Sequence, residues 1–218
     1  MVVGGREGRL SVMRISYVQQ GLIVQQEFAK LVMMGSKGRI ELAPPLTDDE
    51  RRDYEIHVRG QYGFSLATQV KSAMKLHRLG GDARYLRCFF PVRAARLISS
   101  PFYWYFIAYL DPELMRFPDP VFLIPSTYFH KHAAPKRRGE FWTFTFAASM
   151  EAETQDQWHP YRVNTLELGE KMLEIMADLK RRRVPVDEAA AAVLSMPDSL
   201  RLQLAGGRAL PILRKRAA

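Results

Sequence analysis

Cysteine is nearly absent from this sequence. Cys88 is the only one in 218 residues, which excludes an intrachain disulfide and a Cys-rich zinc site. It sits in the apolar run Leu86-Arg87-Cys88-Phe89-Phe90, the setting of a small core residue rather than of a thiol nucleophile. Long hydrophobic runs are missing too. The longest, Phe102 to Leu110, falls far short of the ~20 residues a membrane helix requires. The Gly-rich start, Met1 to Leu10, has no hydrophobic signal core. The expectation is a cytoplasmic protein that does not cross a membrane. Repeats and low-complexity tracts are absent. Acidic residues are in the minority, 23 against 32 Lys and Arg, for a net charge of +9 and a pI near 9.8. Such a balance favours a polyanionic partner, most simply nucleic acid or an anionic membrane surface.

What is present is globular: 47% apolar and 25% charged residues, enough chain for one domain with a full core and a small appended piece. Residues 1–14 read as a flexible arm, 15–183 as an α/β domain, and 184–218 as a helical C-terminal appendage. Ser16 to Met34 reads as a helix stopped by Gly35-Ser36-Lys37-Gly38. Short strands are predicted at Arg39 to Leu42, Tyr54 to Val58 and Phe64 to Val70, the last two forming a hairpin. Residues 72–83 read as a basic loop. Strands follow at Tyr85 to Phe90, Phe102 to Leu110, Val121 to Ile124 and, at the outside, Phe141 to Phe146. Val92 to Ile98 reads as a short helix, and Ser126 as the cap of a brief one through His132. Asn164 to Glu167 has capping-box spacing and opens a helix to about Arg183. Pro185 then breaks the chain before the Ala-rich, helical stretch 187–196.

Alternation groups the polar residues. Asp53, Glu55 and His57 share one strand face; Gln69 and Lys71 share a face of the next strand. Glu27 lies on a helix line with Gln20, Val24 and Leu31, where an unpaired carboxylate is costly. If these groups converge, they form an oxygen-rich pocket with an ammonium beside it. Phosphodiester hydrolysis needs a positioned water, a cation against developing charge and a donor near the reacting oxygens. Magnesium takes one or two carboxylates and keeps several waters. Asp53 or Glu55 can supply the carboxylate, with Asp53 preferred on residue type, and Gln69 an amide oxygen. Lys71 can hold the attacking water or stabilise charge, and Glu27 can orient metal-bound water.

The order of a helix glutamate, an acidic strand and a strand ending Gln69-Val70-Lys71 resembles the PD-(D/E)xK, restriction-endonuclease-like, nuclease superfamily. Glutamine in place of the second acid looks like the Gln-x-Lys variant of Mrr-type restriction enzymes. The resemblance spans roughly residues 16–130. It implies a mixed β-sheet flanked by helices and a metal-dependent nuclease acting on DNA, with Mg2+ or Mn2+ as cofactor. It also implies Glu27, Gln69 and Lys71 as catalytic residues and Asp53, Glu55 and Gln69 as metal ligands. A catalytically inactive module that binds nucleic acid or protein is the alternative, supported by the neutral Gln69.

Lys75, Arg78 and the run Lys136-Arg137-Arg138 are candidate nucleic-acid contacts, of the kind that gives affinity rather than sequence choice. His130 and His132, two apart, fall on opposite sides of a helix, which argues against zinc shared with His77. A homodimer is a possible assembly, and the tail 184–218 is its candidate element.

Overall fold

The computed structural model describes residues 15–46, 51–61, 63–78, 84–182, 201–205 and 208–212. The expected arm, 1–14, and the Ala-rich stretch 187–196 lie outside the described residues.

The chain opens with helix α1, Tyr17–Gly35. Ser16 and Gln19 form the capping box that starts it: each side chain bonds the other's backbone N–H. Strands β1 (Ile40–Ala43), β2 (Tyr54–Val58) and β3 (Ser65–Ala73) follow as an antiparallel meander. After β4 (Leu76–Arg78) and β5 (Arg84–Arg93), the chain crosses to β6 (Tyr103–Tyr109), which lies parallel to β3. Then come β7 (Val121–Pro125), α2 (Ser126–His132), β8 (Lys136–Arg138), β9 (Phe141–Ser149), β10 (Arg162–Val163) and α3 (Leu168–Arg181).

Two sheets result. The first is six-stranded and mixed, in the order β1-β2-β3-β6-β7-β10; the second is antiparallel, β4-β5-β9-β8. One face of the first sheet is covered by α1 and α3. Val24, Phe28 and Val32 of α1 pack with Met172 and Met176 of α3 onto Ile56, Leu66, Val70 and Phe106. The other face packs on the second sheet and α2, joining Tyr105, Ile107 and Phe122 to Leu86, Phe90, Phe129, Phe144 and Phe146. β6 is thus covered on both faces, which explains its unbroken apolar run. Where α1 meets α3, Gly35 and Gly169 bring two backbones together: a Cβ on Gly169 would run into the Ser36 nitrogen.

The α/β class and the mixed sheet flanked by helices agree with the sequence. Several local expectations do not. Residues 76–78 within the expected loop form β4, because Leu76 pairs with Leu86 and both turn inward. The short helix expected at 92–98 shrinks to a three-residue turn, Ala94–Arg96. Its start is taken by β5, whose alternation carries Leu86, Cys88, Phe90 and Val92 into the core. Pro91 is tolerated because it lies beyond the end of β4, where one side of β5 needs no ladder donor. β9 is an inner strand of the second sheet rather than an outer one. Ser126 does not cap α2; its hydroxyl bonds Ser100 instead. Asn164 donates to the Glu167 carboxylate and a turn at Thr165–Glu167 comes first, so α3 starts at Leu168. Within the tail, Arg201–Ala205 and Arg208–Ile212 pair as an antiparallel two-stranded ladder, so these described residues are strand where a helix was expected.

Candidate active site

The site is built where β2 begins beside the middle of β3. Tyr54 pairs with Thr68 and Glu55 with Ala67, and Asp53 stands just before the first of these pairs. The Asp53 N–H also donates to the Thr68 carbonyl at 2.8 Å. Cross-strand partners point to one side of a sheet. Glu55, Gln69 and Lys71 therefore occupy positions on a single face, while the Asp53 side chain, just outside β2, leaves it for the Val70 N–H and for Gln25 of α1.

That face is the one turned toward the second sheet, not toward α1. Lys71 lies close enough to Cys88 of β5 for its ammonium to pull the thiol's pKa down slightly. Burial nevertheless dominates and pushes that thiol up to about 12. Cys88 is thereby a buried, inert core residue. Gln69 is 6% exposed, and among the described residues its amide makes no hydrogen bond.

The Asp53 carboxylate stands at the sheet's notch, where β2 has not yet begun and β3 continues. Its Oδ2 accepts the Val70 backbone N–H at 2.7 Å, in place of a strand partner. Its Oδ1 accepts from the Gln25 side-chain amide of α1, also at 2.7 Å. Tyr54, the next residue, donates its hydroxyl to the Gln25 carbonyl at 3.1 Å. Two adjacent residues thus tie the start of β2 to one residue of α1. Further along, Gln20 donates to the Ser72 hydroxyl at 3.0 Å.

Glu27 is not brought to this place. It pairs with Lys30 at 2.5 Å and borders the exposed Leu22 and Gln26. Two residues along a helix turn about 200°, so the residue that reaches Asp53 is Gln25 and Glu27 is carried away from it. Nothing in the apolar spacing marks Gln25; the signal available in the sequence was a polar side chain on the flank of the stripe. Glu55 is drawn back along β2. It accepts the Ser65 hydroxyl at 2.7 Å and stands 3.6 Å from Arg52. His57 bonds Glu41 across the β1–β2 pair at 3.0 Å.

Other polar groups line the space between the sheets nearby. Tyr105, in register with Gln69, places its hydroxyl 2.9 Å from the His130 Nε2. Burial raises the pKa of Tyr105, with Arg51 opposing it, and burial lowers that of His130 to about 4. Arg51 donates to the Pro91 carbonyl, and Tyr103 donates to the Arg51 carbonyl. The segment leading into Asp53 is thereby fastened to both sheets.

The candidate nucleic-acid residues separate into two places. Lys75 and Arg78 are exposed at the β3–β4 turn and on β4, where Arg78 borders an open cavity with Arg84, Tyr109, Asp111 and Asp119. Lys136, Arg137 and Arg138 constitute β8, exposed at the edge of the second sheet. Among the described residues, no three His, Cys, Asp or Glu side chains gather as a metal cluster, and no helix is long and apolar enough to cross a membrane.

No known family matches the sequence, and no curated protein matches it. Among solved structures the chain is similar to a bacterial homing endonuclease, I-Ssp6803I. The two are 18% identical, over 78% of this chain and 99% of that one, with a TM-score of 0.46.

Proposed function

We propose that the chain is a metal-dependent phosphodiester hydrolase acting on DNA, of the PD-(D/E)xK kind with glutamine in place of the second acid. The observation that carries this reading is the notch itself. A carboxylate is fixed from two sides by Gln25 and the Val70 N–H, and it adjoins the strand that bears Gln69 and Lys71.

The donor set fits a hard divalent cation. Asp53 offers a carboxylate with about four acceptor sites. Gln69 offers an amide oxygen with no other hydrogen-bonded claim among the described residues. One carboxylate with a neutral oxygen suits Mg2+, which completes its shell with waters and substrate phosphate. Zinc would look for nitrogen or sulfur ligands, which this set lacks. When bound, such a cation neutralises charge on the phosphate and makes a water more acidic. The chain's own contribution is positional. Gln25 and the Val70 N–H hold Asp53 in one orientation, so its geometry is prepared before substrate arrives. Lys71 sets a positive charge on the Gln69 face of β3, where it can hold the attacking water or meet charge on the phosphate oxygens. Glu27 serves as the half-buried partner of Lys30 in this reading, and Glu55 as a partner of Ser65 and Arg52.

The experiment is cleavage of plasmid and linear duplex with Mg2+ or Mn2+, compared between wild type and Lys71→Ala. The expected result is loss of cleavage by at least ~100-fold with binding retained. Equal cutting by both proteins, or no cutting with either metal, overturns the hydrolytic reading.

A second reading rests on Gln69. A neutral residue at the second acid's place leaves one charged ligand, which is what a binding module that has lost catalysis would carry. Calorimetric titration separates the two: no uptake of Mg2+ or Mn2+ at millimolar concentration, together with salt-sensitive DNA binding, favours the module.

A further inference from the structure

The second sheet has an outer face that the hydrolytic reading does not use. Alternation along β5 turns Leu86, Cys88, Phe90 and Val92 inward and Arg87, Phe89, Pro91 and Arg93 outward. Register then places Thr145 beside Phe89, Thr143 and Lys136 beside Pro91, and Phe141 and Arg138 beside Arg93. No strand of this sheet contains an aspartate or a glutamate.

Some cations elsewhere in the fold are neutralised. Arg39, Arg59, Arg162 and Lys171 each meet a carboxylate within 4 Å, as does Arg84 at the start of β5. Arg87, Arg93, Lys136 and Arg138 meet none among the described residues; the one contact Arg93 makes there is with the Phe141 ring, 5.7 Å from its centroid. Two aromatic rings, Phe89 at 65% exposure and Phe141 at 39%, stand among them. An array of unneutralised cations with intervening apolar rings is complementary to a polyanion that also has apolar edges, which is the description of a nucleic-acid groove.

The dimensions suit a duplex. From Arg87 to Arg93 the strand rises about 20 Å, and from β5 across β9 to β8 the sheet is about 10 Å wide. The major groove of B-DNA is about 12 Å wide and admits a two-stranded ribbon. β8 and β9 form such a ribbon, turned at Gly139, which adopts a left-handed φ of 57°.

We propose that the outer face of β5-β9-β8 is a docking surface for double-stranded DNA, with the β8–β9 ribbon in the major groove and Arg87, Arg93, Lys136 and Arg138 on phosphates. This binding is separable from the Asp53 site and does not depend on hydrolysis there. At one edge the two adjoin, since Arg51 bonds the Pro91 carbonyl of β5.

The test uses the full chain, a labelled duplex of about 25 base pairs and fluorescence anisotropy in EDTA, so that cleavage plays no part. Combined Arg87→Ala, Arg93→Ala, Lys136→Ala and Arg138→Ala is expected to weaken binding at least ~100-fold at 0.1 M salt. The slope of log K against log salt should fall by about 3 to 4, the release expected for four phosphate contacts. Removing Lys37, Arg59, Lys131 and Lys171 instead, with the same change in net charge, should leave the slope within about one. Arg87→Glu alone, at one exposed position, should weaken binding ~10-fold, and a duplex with glucosylated cytosines filling its major groove should bind at least ~10-fold more weakly. Equal losses in the two quadruple variants would overturn the proposal. So would unchanged duplex affinity accompanied by self-association of the first variant, which would make these cations edge-strand guards. Tighter binding of single strands than of duplex, or full competition by poly-glutamate at matched charge, would overturn it as well. Loss of cleavage in Lys71→Ala bears on the Asp53 site alone, because anisotropy in EDTA reads binding and not hydrolysis.

Discussion

Asp53→Asn is the sharpest perturbation of the candidate site, because it separates how the carboxylate is held from what it does. In the native chain both oxygens accept, one from a fixed backbone N–H and one from the Gln25 amide, each at 2.7 Å. Asparagine keeps the shape but has one carbonyl. The Val70 N–H cannot turn, so the carbonyl must face it and the new NH2 must face Gln25. Gln25 can then rotate its own amide and accept. Both bonds survive, and what is lost is their charge. A hydrogen bond to a charged group contributes about 1.5–3 kcal/mol and a neutral one about 0.5–1.5 kcal/mol. Half-burial reduces the difference, so the change should be about 1–2 kcal/mol. Asp53→Ala is harsher, since it orphans the Val70 N–H and strands the Gln25 amide, and should cost about 3 kcal/mol. Gln25→Ala should cost about 1 kcal/mol alone and couple to Asp53→Ala by about 1 kcal/mol in a double-mutant cycle. Denaturant unfolding reads these values, and cleavage on the same samples reads the chemistry. With a typical stability of about 5–15 kcal/mol, Asp53→Asn stays folded, so its predicted loss of Mg2+-dependent cleavage cannot be blamed on unfolding. If Asp53→Asn and Asp53→Ala are equally destabilising, or neither shifts unfolding by more than about 0.5 kcal/mol, the carboxylate is not gripped as described.

Two further tests address the frame that carries the site. Gly169→Ala would drive a methyl against the backbone of Ser36 and Val32; it should separate α1 from α3 at a cost of about 3 kcal/mol, lowering Tm by about 6–12 °C, and an unchanged Tm would refute the close approach. His130, held neutral by burial with a pKa of about 4 against an ordinary 6.5, is protonated more readily in the unfolded chain. Its contribution is therefore present above pH 6.5 and is lost as the pH falls toward 4, by about 3 kcal/mol in all. Stability curves of wild type and His130→Phe measured from pH 7 to 4 should converge as acid is added; parallel curves would show that His130 titrates normally.

Some of this was legible in one dimension because the physics behind it is local. The α1 capping box lies within four residues, and the alternation of β2, β3 and β6 is a property of each strand alone. These were enough to put Glu55 on one strand face and Gln69 and Lys71 on the next, but not to show that Asp53, one residue before β2, turns toward α1. Where neighbours compete, local rules lost. Asn164 has the spacing of a cap but found a carboxylate. Residues 92 and 93 joined β5 because the core beyond Phe90 wanted Val92.

The chain's own residues determined a basic α/β protein with one reactive-looking strand pair, because composition, periodicity and hairpin spacing are written in consecutive positions. Only the tertiary structure decided which helix residue meets Asp53, since the rotation of α1 about its axis is fixed by how Phe28 and Val32 pack, and that sends Gln25 to the notch and Glu27 to its pairing with Lys30. It likewise gathered Arg87 and Arg93 with Lys136 and Arg138, because strands more than forty positions apart become neighbours only when a sheet is assembled.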